Sequence, residues 1–289
     1  MNELEKNLRI HVEKLALDIG ERNFAKYEEL EKAADYIMSE FSRYGYTFKL
    51  QQYQIEGRIY KNIIVSLKGT KEPDKIIIIG AHYDSVLGTP GADDNASAVA
   101  GLLELARLVS LKEKPAKTIK FIAFTNEEPP FFQTGQMGSM IYAKEAYRYK
   151  EKIEAMICLE MIGYFRQEKN SQTYPFPLNF FYPDTGNFIA VVGNRASKKL
   201  VNKVTSAFKK HSNFPIESIA AFSIVPGIDF SDHASFWEYG YEAVMITDTA
   251  FYRNPHYHSP TDLPHTLHYQ DLAEVVKGLY YVILELTGK

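Results

Sequence analysis

With 289 residues the chain can hold one large α/β domain or two small ones, and its 45% hydrophobic and 24% charged content excludes a disordered chain. A net charge of −3 leaves no basic footprint for nucleic acid. No stretch approaches the roughly 18 apolar residues of a membrane span, and a lone cysteine excludes an internal disulfide.

In chain order, residues 1–45 read as helical. Leu30, Ala33, Ala34, Ile37 and Phe41 recur at helical spacing and Gly45 ends the run. Charges run through the first 17 residues with no apolar core between them, so no secretory signal is expected and the reading is a cytoplasmic protein. Residues 47–55 and 59–67 predict a hairpin about Glu56-Gly57. The isoleucine run at 75–80 predicts a parallel strand buried on both faces. A polar, Gly-rich loop leads to a predicted helix at 98–111, then a strand at 118–124. Such strand–helix–strand crossovers build open α/β sheets with sites beyond the carboxyl ends of the strands. Further strands are predicted at 154–161, 187–192, 216–222 and 242–247. A surface helix carries Lys198-Lys199 and Lys209-Lys210, and a closing helix covers 271–286. Residues 167–184, rich in proline and aromatics, predict a loop over the sheet edge. No linker or repeat interrupts the chain, so a single domain over 1–289 is expected. Cys158, within Ile157-Cys158-Leu159, reads as a small core residue.

Polar residues of metal-binding type gather where predicted strands end: His82-Tyr83-Asp84-Ser85, Asp93-Asp94-Asn95, Asn126-Glu127-Glu128, Glu160, and His256 with His258. An Asp-Asp-Asn run before a helix is ordinarily a cap. Capping does not explain two glutamates at the end of an apolar strand, where desolvation penalises both charges. A divalent cation resolves that cost, and His nitrogens with carboxylate oxygens are the shell expected of catalytic zinc. The candidate ligands are too many for one closed site and suit a pair of ions about 3.5–4 Å apart sharing a carboxylate and a water. A carboxylate that is not a ligand must then carry the proton.

Five motifs, in order, resemble the dizinc exopeptidase superfamily of bacterial leucine aminopeptidases, glutamate carboxypeptidase and glutaminyl cyclases. They are His82-Tyr83-Asp84-Ser85, Gly91-Ala92-Asp93-Asp94-Asn95-Ala96-Ser97, Asn126-Glu127-Glu128, Ser231-Asp232-His233 and His258-Ser259-Pro260-Thr261-Asp262. The resemblance covers nearly the whole chain and is nearest to the aminopeptidases. It implies a three-layer α/β/α sandwich about a mixed, mostly parallel sheet, with two zinc ions. By it, His82 and Glu160 bind one metal, Glu128 and His258 the other, and Asp93 bridges them. Glu127 is the implied general base and later acid, and Asp84 orients His82. A cis peptide is implied between Asp93 and Asp94. The family usually has Asp where this chain has Glu160, which puts metal spacing and occupancy in question.

The implied reaction is release of an N-terminal residue from a peptide with a free amine. The alternatives are a one-zinc glutaminyl cyclase, a non-catalytic binding protein on the same scaffold, and a carboxypeptidase or small-amide hydrolase. The last needs an arginine for a substrate carboxylate, with Arg166, Arg195 and Arg253 as candidates. His233 is expected beside the substrate pocket, His265 and His268 in exposed loops, and His11 and His211 in solvent. Phe131-Phe132 could wall a pocket or simply pack.

Overall fold

The structure is a computed structural model and describes residues 3–112 and 114–288. Its elements are α1 (Glu3–Glu13), α2 (Tyr27–Arg43), β1 (Phe48–Ile55), β2 (Arg58–Leu67), β3 (Glu72–His82), α3 (Ala98–Ser110), β4 (Lys117–Phe124), α4 (Gly138–Arg148), β5 (Lys152–Glu160), β6 (Ile189–Asn194), α5 (Lys198–His211), β7 (Ile216–Ala221), α6 (His233–Trp237), β8 (Ala243–Thr247) and α7 (Tyr269–Leu286). One mixed sheet of eight strands runs β1-β2-β4-β3-β5-β8-β6-β7. Its centre, β4-β3-β5-β8, is parallel. The hairpin β1-β2 joins β4 antiparallel, and the parallel pair β6-β7 joins β8 antiparallel.

Alternation along each strand builds a layer on either face. Ile77, Ile79, Phe121, Leu159, Val191 and Ile246 face one core, together with Leu8 of α1, Leu103 of α3, Phe208 of α5 and Val276 of α7. Ile78, Phe124, Met156, Cys158, Val192 and Met245 face the other, covered by Tyr142 of α4 and Phe236 of α6. That is the expected α/β/α layering, with Cys158 in the core as its apolar neighbours predicted. Helix α4 and the short α6 had no clear periodic signal, because α4 buries mainly small residues, Ala143 and Ala146 beside Tyr142. Residues 167–184 cross the sheet edge as expected, tied down where the Tyr182 hydroxyl donates to the carbonyl of Ser218 on β7. No helix among the described residues is long and apolar enough to cross a membrane.

The expectation for His11 fails on this scaffold. His11 is not solvated but buried, its Nδ1 2.6 Å from the Tyr36 hydroxyl and its Nε2 3.5 Å from Glu104 on α3. His265 and His268 are exposed, and His211 is exposed against Glu285.

Candidate metal centre

Three adjacent parallel strands deliver the site from their carboxyl ends. β3 ends at His82, β4 runs into Asn126-Glu127-Glu128, and β5 ends at Glu160. Between β3 and α3 a wide helical turn, Ala92–Ser97, is interrupted by non-helical backbone at Asp94 and Asn95. His258 comes from the loop before α7. Non-glycine residues with positive φ gather here, namely Asn126 at 59°, Met161 at 45° and His258 at 53°. Such sparsely populated backbone tends to collect at functional sites.

Asp94 stands at the centre. Its Oδ1 lies 3.5 Å from His82 Nε2, and its Oδ2 lies 3.2 Å from His258 Nε2. On the first side Glu160 Oε2 is 3.2 Å from His82 Nε2. On the second Glu128 Oε2 is 3.5 Å from His258 Nε2. Two groups share Asp94, namely His82, Asp94 and Glu160, and Asp94, Glu128 and His258, and a third joins His82, Glu127 and Glu128, the ligand atoms of each lying within 4.8 Å of one another. Glu127 sits between, its Oε2 3.9 Å from His82 Nε2.

Asp93, expected to be the shared carboxylate, is turned away. It accepts from Asn254 Nδ2 at 2.7 Å and from the Gly163 amide at 3.0 Å. The cis peptide is likewise one residue later than expected, between Asp94 and Asn95.

Asp84 does more than face His82, whose Nδ1 is 3.2 Å from the Asp84 main-chain carbonyl and 3.5 Å from its Oδ1. Its two oxygens accept the backbone amides of Glu127 and Glu128, at 3.2 and 3.1 Å. Asp262 repeats the device on the other loop, accepting the amides of Asp93 and Asp94 at 2.9 and 3.1 Å. Ser231 donates to Glu160 Oε2 at 2.6 Å. Fully buried Arg22 donates to the carbonyls of Tyr83, Pro90 and Gly91, stapling together the loops that follow β3. Of these supports Asp84, Asp262 and Ser231 stood inside recognised motifs. Arg22 and Asn254 lay in segments without one.

The electrostatics are those of an overfilled acidic site. Burial pushes Glu127 well above the ordinary carboxylate range, and the charges of Glu160 and Asp232 add to it. Burial, then Asp94 and Glu127, do the same to Glu128. Glu160 is raised by burial despite His82. Burial acts to lower His82, but Glu160 and Glu127 outweigh it and hold the imidazole well above its usual value. Asp94 is lowered in spite of burial by the bond from His258 and the charge of His82. So many buried carboxylates cannot all be ionised without added positive charge. His82 Nε2 and Glu128 Oε1 are moreover buried without a hydrogen-bond partner. An unpartnered buried polar atom is costly, and these two face the ligand groups. A divalent cation fits both observations.

Beside Glu160 opens a pocket of about 110 Å³, walled by Tyr174, Leu178, Phe188, Ile228, Phe230 and Tyr257. Tyr257 stacks on His258 with ring centroids 3.8 Å apart, so pocket and ligand cluster are continuous. His233 does not border it. Its Nε2 is 2.8 Å from the Ile228 carbonyl, behind the wall, and burial lowers its pKa to about 4. His256 turns to Thr261 instead of the ligands. Phe131 packs on Phe24 and Tyr60, whereas Phe132 lies edge-on to Phe230 of the pocket wall.

Residues 62–283 match Peptidase family M28. The chain belongs to that family. It is 42% identical over 286 residues to the uncharacterized protein YfbL of Escherichia coli, covering 96% of this chain and 85% of that one. It is 26% identical over 238 residues to the probable aminopeptidase YDR415C of Saccharomyces cerevisiae, covering 78% and 57% of the two chains. The fold superimposes on BSAP, a zinc aminopeptidase from Bacillus subtilis, with a TM-score of 0.79 at 17% identity, covering 99% and 95% of the two chains. A glutaminyl cyclase from Fimbriiglobus ruber follows at 0.75 and 18%, covering 97% and 94%. The M28 fold is thus common to neighbours with different chemistry, and the reaction must be argued from the site.

Proposed function

We propose that this chain is a zinc aminopeptidase that holds two ions, one on His82, Asp94 and Glu160 and the other on Glu128, Asp94 and His258. The observation that carries this reading is Asp94, whose two oxygens face two different histidines. Each histidine has a further carboxylate beside it, so each half-site has its own donors. Ions held there supply Lewis acidity, polarising a scissile carbonyl and acidifying a water.

The remaining work falls to the chain. Glu127 lies within the cluster but outside both ligand triplets around Asp94, its Oε2 3.9 Å from His82 Nε2, a place from which a carboxylate can take a proton from water and return it to the leaving amine. Asp84 holds the His82 ring through its main-chain carbonyl and, through its carboxylate and two amides, the turn that aims Glu127.

The polarity of the surroundings favours a free amine over a free carboxylate. No arginine or lysine lines the pocket among the described residues. Arg253 is buried, donating to Gln172 and to the carbonyls of Tyr164 and Phe188. Arg166 donates to the Tyr164 hydroxyl and Arg195 lies over Phe222. None of the three candidate arginines for a substrate carboxylate lines the pocket beside Glu160.

Metal content per chain, measured beside hydrolysis of aminoacyl p-nitroanilides before and after chelation, tests the reading. About two ions and chelator-sensitive release are expected. One ion, no release, and turnover of an N-terminal glutaminyl peptide would replace it with cyclase chemistry.

A further inference from the structure

The floor of the pocket is made of two cross-strand rows of the sheet. In one, Glu160 of β5 pairs with Thr247 of β8, Thr247 with Ala190 of β6, and Ala190 with Glu217 of β7. In the next, Cys158, Met245, Val192 and Ile219 stand in the same relation. Residues opposite one another in adjacent strands share a face. Accordingly Thr247, Ala190, Glu217, Met245, Val192 and Ile219 all line the pocket. Three strand spacings separate the α-carbons of Glu160 and Glu217 by about 14 Å. The pocket is therefore an apolar trough with an acid at each end, Glu160 against the metal ligands and Glu217 near the sheet edge.

Glu217 has no answering group within the chain. It is half-buried, and among the described residues its side chain has neither a hydrogen-bond nor an ion-pair partner. The two nearby phenols are committed elsewhere, Tyr182 to the Ser218 carbonyl at 3.0 Å and Tyr174 to that of Pro183 at 2.7 Å. Burial raises the pKa of both phenols and the charge of Glu217 adds to the effect, so they stay neutral. A carboxylate drawn partly out of water beside apolar walls is unfavourable unless a cation pairs with it.

We infer that Glu217 sets the specificity of this pocket, and that the pocket selects peptides whose N-terminal residue is lysine or arginine. The inference rests on the aminopeptidase reading for which end of the substrate enters. With its amine and scissile carbonyl at the Glu160 end, an N-terminal residue must run its side chain along the trough. Lysine and arginine lay aliphatic stems on apolar surface and keep a charge at the tip, which is what the walls and the far carboxylate require. Leucine or phenylalanine fills only the near part and leaves Glu217 unpaired, and an acidic side chain is repelled.

Two measurements on the zinc-loaded full chain test this. The first is kcat/KM for lysyl, arginyl, leucyl and alanyl p-nitroanilides, in the wild type and in Glu217→Gln. Lysyl and arginyl substrates should lead the leucyl one, and the lysyl-to-leucyl ratio should fall about 10-fold or more in the variant. A leucyl preference in the wild type, or an unchanged ratio in the variant, overturns the inference. The second is calorimetric binding of L-lysinamide against L-norleucinamide, which lacks the ammonium group. Tighter binding of lysinamide that Glu217→Gln abolishes supports the pocket assignment even if no p-nitroanilide is cut, in which case only the peptidase reading falls. Equal binding of the two amides overturns the assignment even in an active aminopeptidase.

Discussion

Asn254 donates a 2.7 Å hydrogen bond to the carboxylate of Asp93, and this contact separates the roles of two adjacent aspartates. With one oxygen on Asn254 and the other on the Gly163 amide, Asp93 has nothing left to offer the histidines. Burial and the neighbouring Asp248 hold it well above the ordinary carboxylate range. An amide there keeps one acceptor oxygen and turns its NH2 toward the other donor, a cost that falls on the fold and not on the metal ligands. Asp93→Asn is expected to keep most of its metal after dialysis, whereas Asp94→Ala should lose metal from both half-sites. Metal analysis of the two variants decides, and the reverse pattern would return the bridging role to Asp93.

Glu127 is the carboxylate of the cluster left outside both triplets around Asp94. Glu127→Gln preserves shape and removes the proton acceptor. Its kcat should fall by about 10²–10⁴-fold, the usual share of a general acid–base group. Metal content should not change. Activity within a few-fold of wild type would show that another group moves the proton.

Asp84 and Asp262 each hold two consecutive backbone amides, and the amides belong to residues of the centre. Removing either carboxylate frees a turn carrying Glu128 or Asp94. Asp84→Ala and Asp262→Ala should each weaken metal affinity about 10–100-fold, as loss of an outer partner commonly does. Competition with a chromogenic chelator measures this. Unaltered affinity in both would mean that the loops hold their shape through other contacts, such as the Arg22 staple.

The strands and the residues at their ends were legible because apolar runs that stop in histidine or glutamate have few structural explanations. The choice between Asp93 and Asp94 was not. Neighbouring side chains of one type carry the same local pattern, and the contacts that distinguish them come from Gly163, Asn254 and Asp262, far along the chain. Glu217 was equally hidden, since a single acid in a short edge strand reads as solvated until β6 and β8 align it with Glu160. His11 was misread for a related reason. Its helix is rich in charge, and only packing against α2 and α3 brings Tyr36 and Glu104 to it.

That buried cluster supplies a prediction about stability. Glu104, with no solvent exposure, receives Arg107 Nε at 2.9 Å and Arg107 Nη2 at 2.7 Å, with His11 and Asn7 also in reach. Burial alone would raise its pKa, but the bonds from His11 and Arg107 outweigh burial and lower it below the ordinary value of 4.5. A group whose folded pKa is depressed stabilises the fold fully above its unfolded pKa and loses that contribution as pH falls through the folded one. Glu104→Gln should therefore destabilise the protein near pH 7, by about 3 kcal/mol if breaking the pair leaves its partners uncompensated. The difference from wild type should narrow as pH drops below 4.5. Urea unfolding of both proteins across that range measures the gap. A gap that stays constant with pH would assign the effect of Glu104 to packing, and not to its charge.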